Sequence, residues 1–205
     1  MVWESWFLKR ELTQTASSLR RRKGQRRWRE ESFLKVQWDI FLAAYAIRKL
    51  IEAGTKLSDE VESHEVPCKL FPLALPLEKK KRRCWRHIFE KEAYNLDLGS
   101  PTFVPLRNFC NLFIHSTTFF LEPSEVGGLK GLYVTTDQQI KFLYYFDIDD
   151  IITTLELVAS DEIVEMVYEK MGDECITIKR RRESTERVPK LLSKPCASVE
   201  AQARS

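Results

Sequence analysis

A chain of 205 residues with 43% hydrophobic and 31% charged residues can bury a core and is too apolar for a disordered segment. Its formal charge of +3 does not by itself imply a polyanionic partner. The distribution says more: residues 1–30 hold nine Lys/Arg against three Asp/Glu, net +6, whereas residues 122–174 hold three against thirteen, net −10.

Trp3 to Arg22 reads as a helix, with Trp3, Phe7, Leu8, Leu12 and Leu19 facing inward. A dense basic run with Gly24 inside it, Leu19 to Trp28, then interrupts the pattern. The clearest helix runs from about Glu30 to Ala53. Phe33, Val36, Ile40, Ala44, Ile47 and Ile51 recur at helical spacing, flanked by Leu34, Trp38, Phe41 and Tyr45. An apolar band this wide predicts a central rather than a surface helix, and Gly54 supplies a stop. Thr55 to Leu77, broken by Pro67, Pro72 and Pro76, reads as a connection. A second basic run leads into Cys84–Lys91, and Asn95 to Pro105 reads as a loop with Gly99, Pro101 and Pro105.

Pro105 to Phe120 is the one stretch whose polar side chains look placed for chemistry. On a continuous helix Arg107, Asn111 and His115 fall at i, i+4 and i+8 along one face, while Leu106, Phe109, Leu112, Phe113 and Phe120 supply its apolar sides. Such a stripe fits either a site or a hydrogen-bonded helix packed in a core. After Glu122-Pro123 and Gly127-Gly128 the pattern turns to strands. Gly131–Thr136 and Ile140–Phe146 form a hairpin, Asp149–Ser160 a helix, and Glu162–Lys170 and Cys175–Arg180 a second hairpin. Residues 183–205 lack periodicity and read as a flexible tail.

Cys68, Cys84, Cys110, Cys175 and Cys196 are odd in number and widely spaced, so neither a disulfide framework nor a zinc site is expected. The start, M-V-W-E-S-W, lacks the pattern of a signal peptide, and the run Phe41–Ile47 is too short for a bilayer. A cytoplasmic protein without membrane contact is expected.

Two segments, Phe41–Glu52 (F-L-A-A-Y-A-I-R-K-L-I-E) and Cys110–His115 (C-N-L-F-I-H), lie on either side of a long proline-punctuated connection. That order, with a late Asn-x-x-x-His, resembles the HEPN superfamily of helical-bundle proteins over residues 28–122. The resemblance implies a dimer in which Arg and His of an Arg-polar-x-x-x-His pattern cut RNA without a metal. Asn111 and His115 match the polar and His positions, but Cys110 stands where that Arg is expected. His can move a proton at a ribose hydroxyl and Arg can hold a phosphate; a thiol does not replace the guanidinium. Arg107 shares the face but lies about 12 Å from His115 along a helix axis.

Three basic clusters add to an RNA-binding expectation. They are Arg20, Arg21, Arg22, Lys23, Arg26, Arg27 and Arg29; Lys79, Lys80, Lys81, Arg82 and Arg83 with Arg86; and Lys179–Arg182. Trp28 and Trp85 beside them suit base stacking. The competing reading is a solvated face that pairs with the acidic rear. Asp147, Asp149 and Asp150 could hold Mg²⁺, yet acids at a helix start need only the helix dipole. His64 and His87 lack ligand spacing, the common nucleotide and hydrolase motifs are absent, and no cofactor is expected.

The expectation is therefore an α+β protein: a helical bundle over 1–122, a small antiparallel β appendage with one helix over 123–182, and the tail. For function it is a HEPN-like protein, non-catalytic, that binds RNA or a nucleoprotein, with bacterial defence or stress response implied by the resemblance alone. The alternatives are a metal-independent endoribonuclease using His115 with Asn111 and Arg107, and a protein–protein interaction module. A homodimer or another protein partner fits each reading.

Overall fold

A computed structural model describes residues 5–74, 93–171 and 174–182. The second basic cluster, Trp85, His87 and residues 183–205 lie outside them. The chain is α+β: two long helices, α1 (Ser5–Arg22) and α2 (Glu30–Glu52), precede a five-stranded antiparallel sheet. A short α3 (Asp59–Glu62) leads into β1 (Glu65–Pro72); β2 (Ser100–Pro105) then runs directly into α4 (Leu106–Ile114). Next come β3 (Ser116–Pro123), β4 (Leu129–Thr136), β5 (Phe142–Asp147) and α5 (Ile148–Ala159). A separate hairpin, β6 (Ile163–Met171) and β7 (Glu174–Arg182), closes the described chain. Among the described residues no helix is long and apolar enough to cross a membrane.

The sheet order is β2-β1-β5-β4-β3. It draws strands from both sides of residue 122, so the division at 122/123 does not separate helices from strands. Two segments read as irregular are strands, β1 and β2. Their prolines are compatible with this: β2 is an edge strand, where Pro101 and Pro105 can do without a ladder N–H. Pro67 and Pro72 lie in β1, the latter at its end.

One face of the sheet packs on the helices. Val66, Val104, Leu132, Val134 and Phe146 join Leu12, Leu19, Ile40, Ile47 and Ile151 in one core. At its centre the rings of Phe109, Phe113 and Phe146 meet, with centroids 4.9–5.6 Å apart. Such pairs contribute about 0.5–1.5 kcal/mol each beyond area burial. The other face carries a smaller cluster of Phe71, Tyr94, Tyr133, Leu143 and Tyr145.

The acidic rear meets the basic front at α1 and α5, which pack together. Arg20 pairs with Glu156 at 2.7 Å and Lys23 with Asp149 at 2.5 Å. At the far end of α5, the buried Asp161 carboxylate accepts from the Ser58 N–H (2.7 Å) and hydroxyl (2.8 Å). Its backbone carbonyl accepts from Lys9. The β6–β7 hairpin is tied down by Arg180, which pairs with Asp59 at 2.7 Å and Glu62 at 2.5 Å.

Candidate functional site

The helix of Arg107, Asn111 and His115 is shorter than the spacing predicts. It ends at Ile114, His115 is its C-cap, and S-T-T-F-F continues as β3. Thr and Phe favour a pleated surface, and β4 offers them a ladder, so the strand wins over the continued helix. The polar stripe is thus cut at its last member.

Asn108, Asn111, His115, Thr136, Gln138 and Gln139 line a polar cleft of about 210 Å³. The structure brings Asn111 and His115 together there; Arg107 is exposed on α4 and does not line the cleft. The guanidinium that reaches Asn111 comes from α2: Arg48 Nη1 donates to Asn111 Oδ1 at 2.8 Å, while its Nε holds Glu52 at 2.8 Å. Arg48 was not among the expected site residues. Its one sequence signal is a basic residue within the apolar spacing of α2, and the Glu52 at i+4 explains that without a site. Cys110 is fully buried, and burial pushes its thiol up to about 12, so it performs no thiolate chemistry at neutral pH.

The first basic cluster divides. Arg20 and Lys23 are held by α5, and Arg22 lies over the Trp28 ring, 5.9 Å from its centroid. Trp28 is half-buried against Phe33 and donates its Nε1–H to the Gly127 carbonyl at 2.7 Å, a structural rather than a base-stacking position. Arg21, Arg26, Arg27 and Arg29 are exposed and form no ion pair among the described residues. In the third cluster Arg180 and Arg181 are paired with carboxylates. Asp147 caps α5, accepting from the Asp149 N–H at 2.9 Å, as the helix-start reading requires. Among the described residues no group of three His, Cys, Asp or Glu side chains is arranged to hold a metal.

A different surface stands out. Among the described residues the wide apolar band of α2 is covered chiefly on one face, by α1 and α4. Its Val36, Ile40, Ala44 and Ile47 are buried, but Leu34 and Trp38 remain 57% exposed and Tyr45 47%. The expectation of a central helix is corrected here: α2 is an outer helix with a second apolar face. That face and β3 enclose a groove of about 500 Å³ lined by Leu34, Gln37, Trp38, Phe41, Phe113, Ser116 and Phe119. None of these residues is charged. Trp38 and Phe41 stack at 6.1 Å, and Phe113 meets Phe119 edge-on at 6.2 Å.

The groove runs along a sheet edge. Among the described residues β3 is terminal in the sheet and pairs with β4 on one side alone. Over its first six residues β3 has no Lys, Arg, Asp, Glu or Pro, the residues that usually blunt an edge against further pairing. The opposite edge, β2, carries Pro101 and Pro105. Comparison of the chain with protein-family models, with curated proteins and with solved structures finds no match.

Proposed function

We propose that the chain is a protein-interaction module that binds an extended, uncharged segment of a partner protein along β3. The observation that supports it most is the coincidence of a sheet edge that carries no charge or proline over Ser116–Leu121 with an uncharged aromatic groove beside it. In strand addition the main chain supplies hydrogen bonds while alternate side chains enter pockets. Here the added strand pairs with β3, and every second side chain enters the groove between Trp38 and Phe119. The groove lining selects apolar or aromatic side chains, because a charge there finds no countercharge and loses water.

The test uses a lysine-flanked peptide of alternating threonine and phenylalanine, and the same peptide N-methylated on its pairing edge. The reading expects saturable binding of the first, and loss of about tenfold or more on N-methylation or in Trp38→Ala. Equal binding of the N-methylated peptide would refute strand addition. Concentration-dependent self-association abolished by Trp38→Ala would replace the partner with a second copy of the chain.

A second reading, RNA binding, is favoured by the four exposed arginines at the α1–α2 junction, Arg21, Arg26, Arg27 and Arg29. It keeps the HEPN-like resemblance and predicts salt-sensitive RNA binding that falls when these arginines become glutamine. RNA cleavage lost in His115→Ala would favour the ribonuclease alternative, with Arg48 beside Asn111 as the nearest guanidinium.

A further inference from the structure

The uncharged groove has two unlike ends, and three contacts fix their order. Trp28, just before α2, donates to the Gly127 carbonyl in the loop that follows β3. Gln37, further along α2, lines a small cleft with Ser116, Phe119 and Phe120 of β3. Arg48, near the end of α2, reaches Asn111 on α4, the helix that precedes β3. α2 therefore runs against the α4–β3 path. A chain lying along β3 passes from the cleft of Asn111 and His115, beside Ser116, to the α1–α2 junction, beside Pro123.

That junction is basic and is held close to the strand end. Gly127 has a φ of +95°, and a Cβ on Gly128 would collide with the Lys23 carbonyl oxygen, so glycines let the loop after β3 sit against the junction. Lys23 itself is taken by Asp149. Arg22 lies over Trp28, and Arg21, Arg26, Arg27 and Arg29 are exposed without an ion pair among the described residues. The nearby acids are Glu30 and Glu31 in the first turn of α2 and Glu125 in the loop, so five arginines leave the junction net positive. Glu122 lies on the opposite face of the sheet, with Tyr133 and Tyr145. At the other end no charged residue lines the cleft. Arg48 is committed there to Asn111 and Glu52, and Arg107 is two turns back along α4.

Every pairing in the main sheet is antiparallel. A strand added to β3 in the same sense runs from the Pro123 end towards Ser116, so the residues that precede it in the partner meet the arginines. We infer, on the strand-addition reading, that the partner segment pairs antiparallel to β3 and carries a run of Asp or Glu immediately before its apolar alternation. Those carboxylates pair with Arg21, Arg26, Arg27 and Arg29 and steer the encounter. Acids placed after the alternation would reach the uncharged end and gain neither effect. The charge at one end thus sets the polarity of the bound chain, which the groove alone does not.

The experiment titrates the full chain by calorimetry with peptides that share one threonine–phenylalanine core. One carries three glutamates before the core, one carries them after it, and one is flanked by lysines. At low salt the glutamate-first peptide should bind about tenfold tighter than the glutamate-last peptide, and the gap should close at high salt. A triple variant, Arg26→Gln, Arg27→Gln and Arg29→Gln, should remove most of that gap, its fold checked by circular dichroism. Equal binding of the two glutamate peptides, tighter binding of the glutamate-last one, or a gap that survives in the triple variant would overturn the inference and leave strand addition standing. No binding of any of the three peptides would remove strand addition and this inference with it. Salt-sensitive RNA binding lost in the triple variant, with the two glutamate peptides bound alike, would assign the arginines to RNA instead.

Discussion

Replacing Asp161 with alanine should be the most costly single polar change in the described chain. The carboxylate is fully buried and joins the end of α5 to the N-cap of α3 through two donors of Ser58, at 2.7 and 2.8 Å. Hydrogen bonds to a charged acceptor contribute about 1.5–3 kcal/mol each, and removing the acceptor strands the buried Ser58 N–H and hydroxyl. Allowing for water entering the vacated space, the loss should be about 3–4 kcal/mol. Asp161→Asn keeps one acceptor and should lose about half as much. Urea unfolding followed by circular dichroism reads the change as a lower midpoint at unchanged slope. A Ser58→Ala, Asp161→Ala cycle should show a coupling of at least about 1 kcal/mol. A loss below about 1 kcal/mol in Asp161→Ala would refute the reasoning, because the buried donors would then have found other partners.

Gly131→Ala places a methyl 2.4 Å from the Tyr145 hydroxyl and 2.5 Å from the Phe146 carbonyl, so it should cost about 1–3 kcal/mol and shift both residues' resonances. Cys110 should resist iodoacetamide at neutral pH until the chain unfolds, since burial holds its thiol at about 12; mass mapping of the modified peptide checks this. The same shift has a sign: the folded value lies above the unfolded one, so its stabilisation is present at neutral pH and is lost as pH rises towards about 12. Asp59 behaves oppositely. The Arg180 backbone N–H, and then its guanidinium, depress the Asp59 pKa, so its contribution is present above the ordinary carboxylate range and lost as pH falls through the depressed value. Amide exchange should therefore show the β6–β7 hairpin loosening in acid before the main sheet does.

Where local pattern and tertiary demand agree, the elements were legible in advance. α1, α2, α5 and both late hairpins follow from 3.6- and 2-residue periodicities, and Leu12, Leu19, Ile47 and Ile151 then join the core, although Phe7 of α1, expected to face inward, and Val164 and Tyr168 of β6 stay exposed. β1 and β2 were not, because prolines at 67, 72, 101 and 105 argue against strands; β2 admits its two at the sheet edge, while in β1 Pro67 precedes the pairing with β5, which begins at Lys69, and Pro72 ends the strand. Arg107, Asn111 and His115 at i, i+4 and i+8 suit a helix continuing to Phe120, and only pairing with β4 ends it at Ile114 and makes Ser116–Pro123 a strand. The apolar excess on α2 was plain, but whether a neighbour covers it is a property of the fold. Trp38 and Phe119 are far apart in the chain, and nothing local announces that they share a groove. Tyr145 likewise gained meaning only from its position over Gly131.

The measurement that bears most directly on the central claim is amide hydrogen exchange across the sheet, with and without the threonine–phenylalanine peptide. An added strand must slow exchange at Ser116–Leu121, on the edge that β4 does not cover, and must shift the Trp38 indole. Protection at β2 instead, or none at β3 under saturating peptide, would contradict it.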